Sequence, residues 1–536
     1  MTKVNCIYFS KNEIYELDVE YGITAISDLD IQLSTYYIEK DIDIVQIRHV
    51  KDYVKTINIY FLSYGCFDLL EKTSLFLKEK NPSSVNVVCM GLASELYEKI
   101  LITLKSIDIA VIGKYEPVLN MLCETINKGE EQNNIPGIAY LKNGKLCVNK
   151  PTKNLNNLLM VNMPLRVIED SENRFFHIYG TRDCEGHCTF CDRNCFSLNE
   201  NKMVEYRTIN NIINEIDELV EQYDCKFITF SDPTFGGCNK LKEKLLNLYK
   251  ILRFKNYWIQ FTLNLRAELI NEEIIEILNL LKKVGLGKVF IGIETFNKKD
   301  LKIYGKIATL KDNYNCLNLF QKNQDTLFED YWLEIEYGFI NFNPYSSIQD
   351  LKNNLHNIKI WDIKNTPYIA TSKLTINSLT NITKKVKKDG LIKCYEENNL
   401  SYLFQYSFNY NFKNREIEKI YNALSMMKND LNIKNTNGLE FIRNRYYHFI
   451  GKDELLGEYD RNYKKLKSLI SEITNDMCEF IYENYSRVDF ETTLIKKLNI
   501  HKNKYKELEQ NMRRIVYKSI VELKKIDELV YYRAVY

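Results

Sequence analysis

Short β-branched runs alternate with amphipathic stretches over the first 150 residues. "VNCIYFS" (4–10), "IDIVQI" (42–47), "INIYFLSY" (57–64), "VNVVCMG" (85–91) and "IDIAVIG" (107–113) read as strands. "CFDLLEKTSLFLKEK" (66–80) and "SELYEKILITLKS" (94–106) carry the helical period between them. Continuous apolar strands separated by helices predict a doubly wound parallel sheet covered on both faces. "IAYLKNGKLCVNK" adds a hairpin, because Asn-Gly supplies the two left-handed residues of a tight turn. The stretch 151–164 has no clear period. The expectation is therefore a small α/β domain over 1–150 and a linker over 151–170.

A second strand–helix series follows. "RFFHIYG" (174–180), "CKFITFSD" (225–232), "YWIQFTLNLR" (257–266), "KVFIGIET" (288–295), "YWLEIEYGFI" (331–340) and "YIATSKLTI" (368–376) are its strands. In "TINNIINEIDELVEQY" (208–223), Ile209, Ile212, Ile213, Ile216, Leu219 and Val220 form one apolar stripe. Six such units predict a partial (β/α)6 TIM-like barrel over 171–385, with ligand chemistry at the C-terminal ends of its strands. The remainder, 386–536, changes character. "SYLFQYSFNYNF" (401–412) alternates with period two and reads as a strand, and charged helical patterns follow as a cap or substrate region.

Composition narrows the picture. At 536 residues, 45% hydrophobic and 27% charged, the chain has material for two to four globular domains. A net charge of +2 from 73 basic and 71 acidic side chains gives no footing for nucleic acid or an anionic membrane. No run approaches a membrane span, and the first residues read directly as a strand, not as a signal peptide. A cytoplasmic location is expected. There, clustered cysteines are metal ligands or reactive thiols before they are disulfides.

Such a cluster exists. "CEGHCTFC" (184–191) places Cys184, Cys188 and Cys191 in the loop after the first barrel strand. Thiolates suit zinc or iron–sulfur centres. A closed zinc site takes four ligands, and three leave one position open. His187 and Cys195 are the candidates for a fourth, although His187 fits none of the usual Cys/His zinc spacings. The C-x3-C-x2-C spacing, with Phe190 before its last cysteine, resembles the signature of the radical S-adenosylmethionine (radical SAM) enzymes. The resemblance implies a [4Fe–4S] cluster on Cys184, Cys188 and Cys191 whose fourth iron binds S-adenosylmethionine. Reductive cleavage there yields a 5′-deoxyadenosyl radical that abstracts hydrogen from an sp3 carbon. Likeness to the family also nominates cofactor contacts at strand ends. These are Asp232 and Thr234 in "FITFSDPTFGG", Asn264 and Arg266 in "FTLNLRAEL", and Glu294 in "VFIGIET". Arg266 would pair the methionine carboxylate. His177, on the first barrel strand, reads as a core histidine.

The order of small α/β domain, hairpin, linker and cysteine loop resembles the cobalamin-binding subgroup of radical SAM enzymes, over roughly residues 1–390. Two departures weigh against retained cobalamin. "CMGLAS" keeps only Gly91 of a glycine pair frequent in the subgroup. Gly113-Lys114-Tyr115-Glu116 stands where Gly-Glu-Gly-Glu is frequent, so that Met90 and Tyr115 would crowd a corrin. The expected reaction is modification of a peptide side chain, by carbon–carbon bond or ring formation or by methylation, in ribosomal-peptide (RiPP-type) natural-product maturation. The alternative is a cobalamin-dependent methyltransferase acting on a small natural-product intermediate. An electron donor such as flavodoxin or ferredoxin would serve either. A rival from another class is a zinc-bound, non-catalytic binding module.

Overall fold

The computed structural model describes residues 2–9, 13–47, 55–90, 96–151, 163–166, 175–191, 204–237, 240–257, 259–324, 327, 333–378, 380–394, 396, 399–405, 407–431 and 454–524. The chain forms two compact units. One comprises residues 1–170, 177–216 and 375–409, the other 171–176, 217–374 and 410–536. The first unit thus joins the cysteine-bearing stretch to the N-terminal sheet.

The sheet of the first unit has seven strands: β1 (Thr2–Tyr8), β2 (Ile31–Tyr37), β3 (Lys55–Phe61), β4 (Val85–Cys89), β5 (Ile109–Val111), β6 (Ile138–Lys142) and β7 (Lys145–Asn149). Their order is β2-β1-β3-β4-β5-β6-β7. The first five are parallel, and the β6–β7 hairpin adds antiparallel at the edge. Asn143 and Gly144 take φ of +51° and +75°, as the tight turn demands. Val4, Ile57, Ile59, Val87 and Ile109 bury their side chains against Val118, Leu119 and Leu122 of helix Glu116–Lys128. Each such residue contributes roughly 1.5–3 kcal/mol of burial.

The second strand departs from expectation. "IDIVQI" is a 3-10 turn, Asp41–Gln46, because the Asp43 carboxylate accepts the backbone N–H groups of Glu39 and Lys40 and curls the chain. The true strand, β2, is the half-exposed edge of the sheet, so its sequence IQLSTYY mixes polar and apolar residues.

A chain of asparagines crosses the sheet interior. Asn5 Nδ2 donates to Asn58 Oδ1 at 2.7 Å, and Asn58 Nδ2 to Asn86 Oδ1 at 2.8 Å. Asn86 Nδ2 donates to the Ser106 carbonyl at 2.7 Å. The three asparagines face one another in register on β1, β3 and β4.

Later in the chain come β8 (Phe175–Ile178), β9 (Thr181–Arg182), β10 (Glu205–Tyr206), β11 (Phe227–Phe230), β12 (Gln260–Arg266), β13 (Leu286–Glu294) and β14 (Glu334–Phe339). The second sheet has the order β14-β13-β12-β11-β8, and the boundary between the compact units falls inside β8. β11, β12, β13 and β14 run parallel. Helices Leu241–Lys255, Glu272–Leu281 and Leu310–Lys322 lie between them in sequence.

Among the described residues five strands form this sheet, not six. The stretch 368–376 holds a helical turn, Pro367–Ala370, capped by the Thr366 side chain, and then a single parallel bridge between Phe342 and Lys373. Proline at the first helical position favours that turn over a strand. The stretch 401–412 is not a laddered strand either. Leu400–Leu403 is helical, with the Asn399 side chain accepting from the Tyr402 N–H. The period-two burial nevertheless holds over 407–413, where Phe408, Tyr410 and Phe412 are buried between exposed neighbours, and Tyr406 lies outside the described residues.

Helices Arg415–Leu431, Glu454–Asn484 and Phe490–Lys524 complete the second unit. Among the described residues no helix is long and apolar enough to cross a membrane.

Candidate functional site

The cysteine loop leaves β9 and returns through β10, and these two pair antiparallel, Arg182 opposite Glu205 and Thr181 opposite Tyr206. Cys184, Cys188 and Cys191 are half-buried thiols on it. The Gly186 N–H points to Cys184 Sγ at 3.2 Å, and the Cys191 N–H donates to the Cys188 carbonyl at 3.2 Å. A further bond, from the Ile382 N–H to the Thr189 carbonyl at 2.9 Å, ties the loop to residues 375–409 of the same unit. Phe190 is half-buried and His187 exposed, and Cys195 lies outside the described residues.

Among the described residues no three His, Cys, Asp or Glu side chains converge on one metal-ion position. An iron–sulfur cubane takes one thiolate on each iron, so three cysteines hold three irons and leave the fourth open. Three thiols on one short loop, one already accepting a backbone N–H, are a donor set that fits a cubane.

In the second unit, the nominated strand-end residues fall into local groups. Asp232 is fully buried just past β11. Its carbonyl accepts Asn264 Nδ2 of β12 at 2.8 Å, and the Asn264 carbonyl accepts the Phe235 N–H at 2.9 Å. Buried Thr234 lies in that stitched turn, with its hydroxyl on the Pro233 carbonyl at 2.9 Å. Behind the turn, burial pushes the Lys244 ammonium down to about 8 despite the neighbouring Asp232. Arg266, buried at the end of β12, pairs with Glu268. Glu294 ends β13 with φ of +66°, and its Oε1 meets Lys306 Nζ at 3.1 Å. Lys306 also donates to the Gly292 carbonyl at 3.3 Å.

The structure therefore brings Asp232, Thr234 and Asn264 together. It gives Arg266 and Glu294 their own counter-charges, and reading the sequence missed both, Glu268 and Lys306. Glu268 stands two residues from Arg266, a signal that was available; Lys306 is set by tertiary contact alone. Also missed was a buried amide network beyond β13 and β14, in which Asn354 accepts from the Phe296 N–H and Asn343 donates to Asp300 at 3.1 Å. His177, on β8, is half-buried, more open than a core histidine.

At the C-terminal rim of the first sheet, Gly65 and Gly113 both have φ of +81°, and a Cβ on either would meet nothing within 4 Å. The Tyr115 ring does not fill that space. It packs edge-on against Phe61, centroids 5.4 Å apart, inside the hydrophobic core. Met90 is likewise buried. Gly91 lies outside the described residues. The Tyr115 ring is thus turned into the core and away from Gly113, while the Gly65 N–H donates to the Phe404 carbonyl at 2.7 Å.

Residues 178–329 match the family model of the Radical SAM superfamily. In particular, the chain is 24% identical over 222 residues to an uncharacterised methyltransferase of Pyrococcus horikoshii, covering 40% of this chain and 46% of that protein. The chain spans about half the length of the curated relatives it matches. Among solved structures it is similar to the cobalamin-dependent S-adenosylmethionine radical enzyme OxsB with aqua-cobalamin and S-adenosylmethionine bound. There the TM-score is 0.69 at 16% identity, over 99% of this chain and 83% of that one. It also resembles the radical S-adenosylmethionine methyltransferase TsrM from Kitasatospora setae with cobalamin and a [4Fe–4S] cluster bound. That match has a TM-score of 0.55 at 14% identity, over 73% of this chain and 75% of that one.

Proposed function

We propose that the chain is a cobalamin-dependent radical SAM enzyme of methyl-transferring type, the alternative weighed above, in preference to a cobalamin-free peptide-modifying enzyme. The observation that carries the reading is the trio of half-buried thiols, Cys184, Cys188 and Cys191, on one loop inside the superfamily segment. Support for cobalamin comes from the left-handed glycines Gly65 and Gly113 at the C-terminal ends of β3 and β5, from the burial of Tyr115 in the core, and from the bound cofactors of the two solved neighbours.

Cys184, Cys188 and Cys191 would hold the cluster, which supplies the electron that cleaves S-adenosylmethionine. Asp232, Thr234 and Asn264 present a rigid polar turn for the amino acid end of S-adenosylmethionine. Arg266 would exchange Glu268 for its carboxylate, and Glu294, held by Lys306, would accept from hydroxyl or ammonium groups. Phe190 shields the cluster from water. A corrinoid on the first sheet's rim would carry the methyl group. Glycine at 65 and 113 lets the backbone approach it closely.

Anaerobic reconstitution with iron, sulfide and hydroxocobalamin tests this. About four irons per chain, retained corrinoid absorbing in the visible, and 5′-deoxyadenosine or S-adenosylhomocysteine formed under reduction are expected. Serine at any of Cys184, Cys188 or Cys191 should abolish product. Four irons with no corrinoid retained would return the reading to the cobalamin-free enzyme, and one zinc with no iron would sink both.

A further inference from the structure

The cysteine loop has a neck, closed by the β9–β10 pair, and a lysine from the first sheet is fastened across it. Lys114 follows Gly113 at the C-terminal end of β5. Its ammonium pairs with Asp183 on the outgoing side at 3.0 Å and with Glu205 on the returning side. Asp183 directly precedes Cys184. Its side chain is 8% exposed and that of Glu205 15%. Two positions beyond Lys114, buried Glu116 takes the Arg182 guanidinium, which also pairs with Asp18 at 2.8 Å. The same guanidinium lies 5.4 Å from the ring centres of both Tyr21 and Tyr179. Within the loop, the Tyr206 hydroxyl donates to Glu185 at 2.7 Å.

We infer that Lys114 is a positioning residue for the iron–sulfur cluster, latching both sides of the loop's neck to the turn after β5. The inference rests on the cluster reading above. Two physical arguments carry it. First, one cation bridges two poorly solvated carboxylates that belong to opposite sides of a two-residue β-pair. Without the cation those carboxylates repel across the β9–β10 ladder that closes the loop. An exposed surface pair would be worth little, but these acids are mostly out of water. Second, three thiolates on iron make an anionic group, and Asp183, Glu185 and Glu205 add negative charge beside it. Lys114 brings compensating positive charge to that neighbourhood, from the same turn whose Gly113 rims the proposed cobalamin site.

The test uses the full chain. Hydrogen exchange is measured on the apoprotein, so that it does not depend on the cluster. Lys114→Met should speed exchange of the amides at 181–191 about tenfold, less than loss of a fully buried pair would give, because the Lys114 side chain is 29% exposed. Lys114→Arg keeps the charge and should restore the slow rates. In reconstituted protein, Lys114→Met should release iron to a chelator faster and shift the cluster's midpoint potential downward, with arginine again restoring both. Unchanged exchange at 181–191 in Lys114→Met overturns the inference. If that variant does not fold, Glu205→Gln is read the same way, since it unlatches one side with an isosteric change. A wild-type chain that takes up no iron overturns the cluster reading instead, and the exchange comparison still decides the latch.

Discussion

Single residues set the chemistry available at the strand ends, and Asp300 shows how burial does it. Its carboxyl is 2% exposed and pushed up from 3.8 to about 6, by burial first and by Asp350 second, against the hydrogen bond from Asn343. A raised folded value means the native state keeps the proton that the unfolded chain releases. Stability is therefore greatest below 3.8, declines as pH rises through the window to about 6, and is flat above it. A shift of about two units corresponds to about 3 kcal/mol. Asp300→Asn keeps an acceptor for Asn343 and removes the ionisation. Thermal unfolding from pH 4 to 8 should show the variant losing the decline that the wild type shows, and at pH 8 it should be at least as stable. Parallel profiles would mean that Asp300 does not titrate in this window. The cysteine trio is the opposite case, since its meaning lay in spacing and was readable before any geometry.

Whole elements show where pattern succeeds and where neighbours override it. The strands β1, β3 and β4 each carry asparagine inside an apolar run, and the tertiary structure turns those three residues into one buried ladder. Register is thereby pinned, because a one-residue slip would bury each amide without a partner. Asn58→Ala should leave the Asn5 amide and the Asn86 carbonyl oxygen short of their partner. At about 1–3 kcal/mol for each unsatisfied group, and with the Asn86 oxygen keeping a long bond from Ser84 Oγ at 3.4 Å, destabilisation of about 2–4 kcal/mol is expected. Faster hydrogen exchange in β3 and β4 would check it, and wild-type protection there would refute it. The aromatic stretch 401–412 makes the converse point. Its alternation does report burial, with Phe404 stacked on Phe67 at 5.6 Å in the first unit. Yet alternation alone does not supply a strand partner. Likewise the half-exposed edge strand β2 was hidden by its mixed composition, while "IDIVQI" looked strand-like and was turned by Asp43.

At the scale of the molecule, chain order and compact units do not coincide. The cysteine stretch 177–216 shares a unit with the N-terminal sheet and with 375–409. Buried charges seal that arrangement. Arg166 pairs with Glu20 at 2.8 Å and also bonds Glu215, and fully buried Arg207 reaches the same Glu215. Separating such partners strands buried charge, which is costly. A protease site inserted between 152 and 162, the stretch read as a linker, tests the consequence. After cleavage the two pieces should co-elute on size exclusion, at low and at high salt. Elution as separate species would show that the N-terminal piece is an independent domain.

What the amino-acid order determined by itself was local and chemical. Period-two and period-3.6 patterns named most strands and helices, Asn143-Gly144 named its turn, and three cysteines at fixed spacing singled out the loop after Arg182 by its resemblance to a known signature. Each depends on residues near one another along the chain. Tertiary structure alone decided which strands pair, that Tyr115 turns into the core, that Glu294 faces Lys306, and that Lys114 crosses the neck of a loop some seventy residues later. Those outcomes depend on which groups are brought out of water together, and a linear pattern carries no record of that.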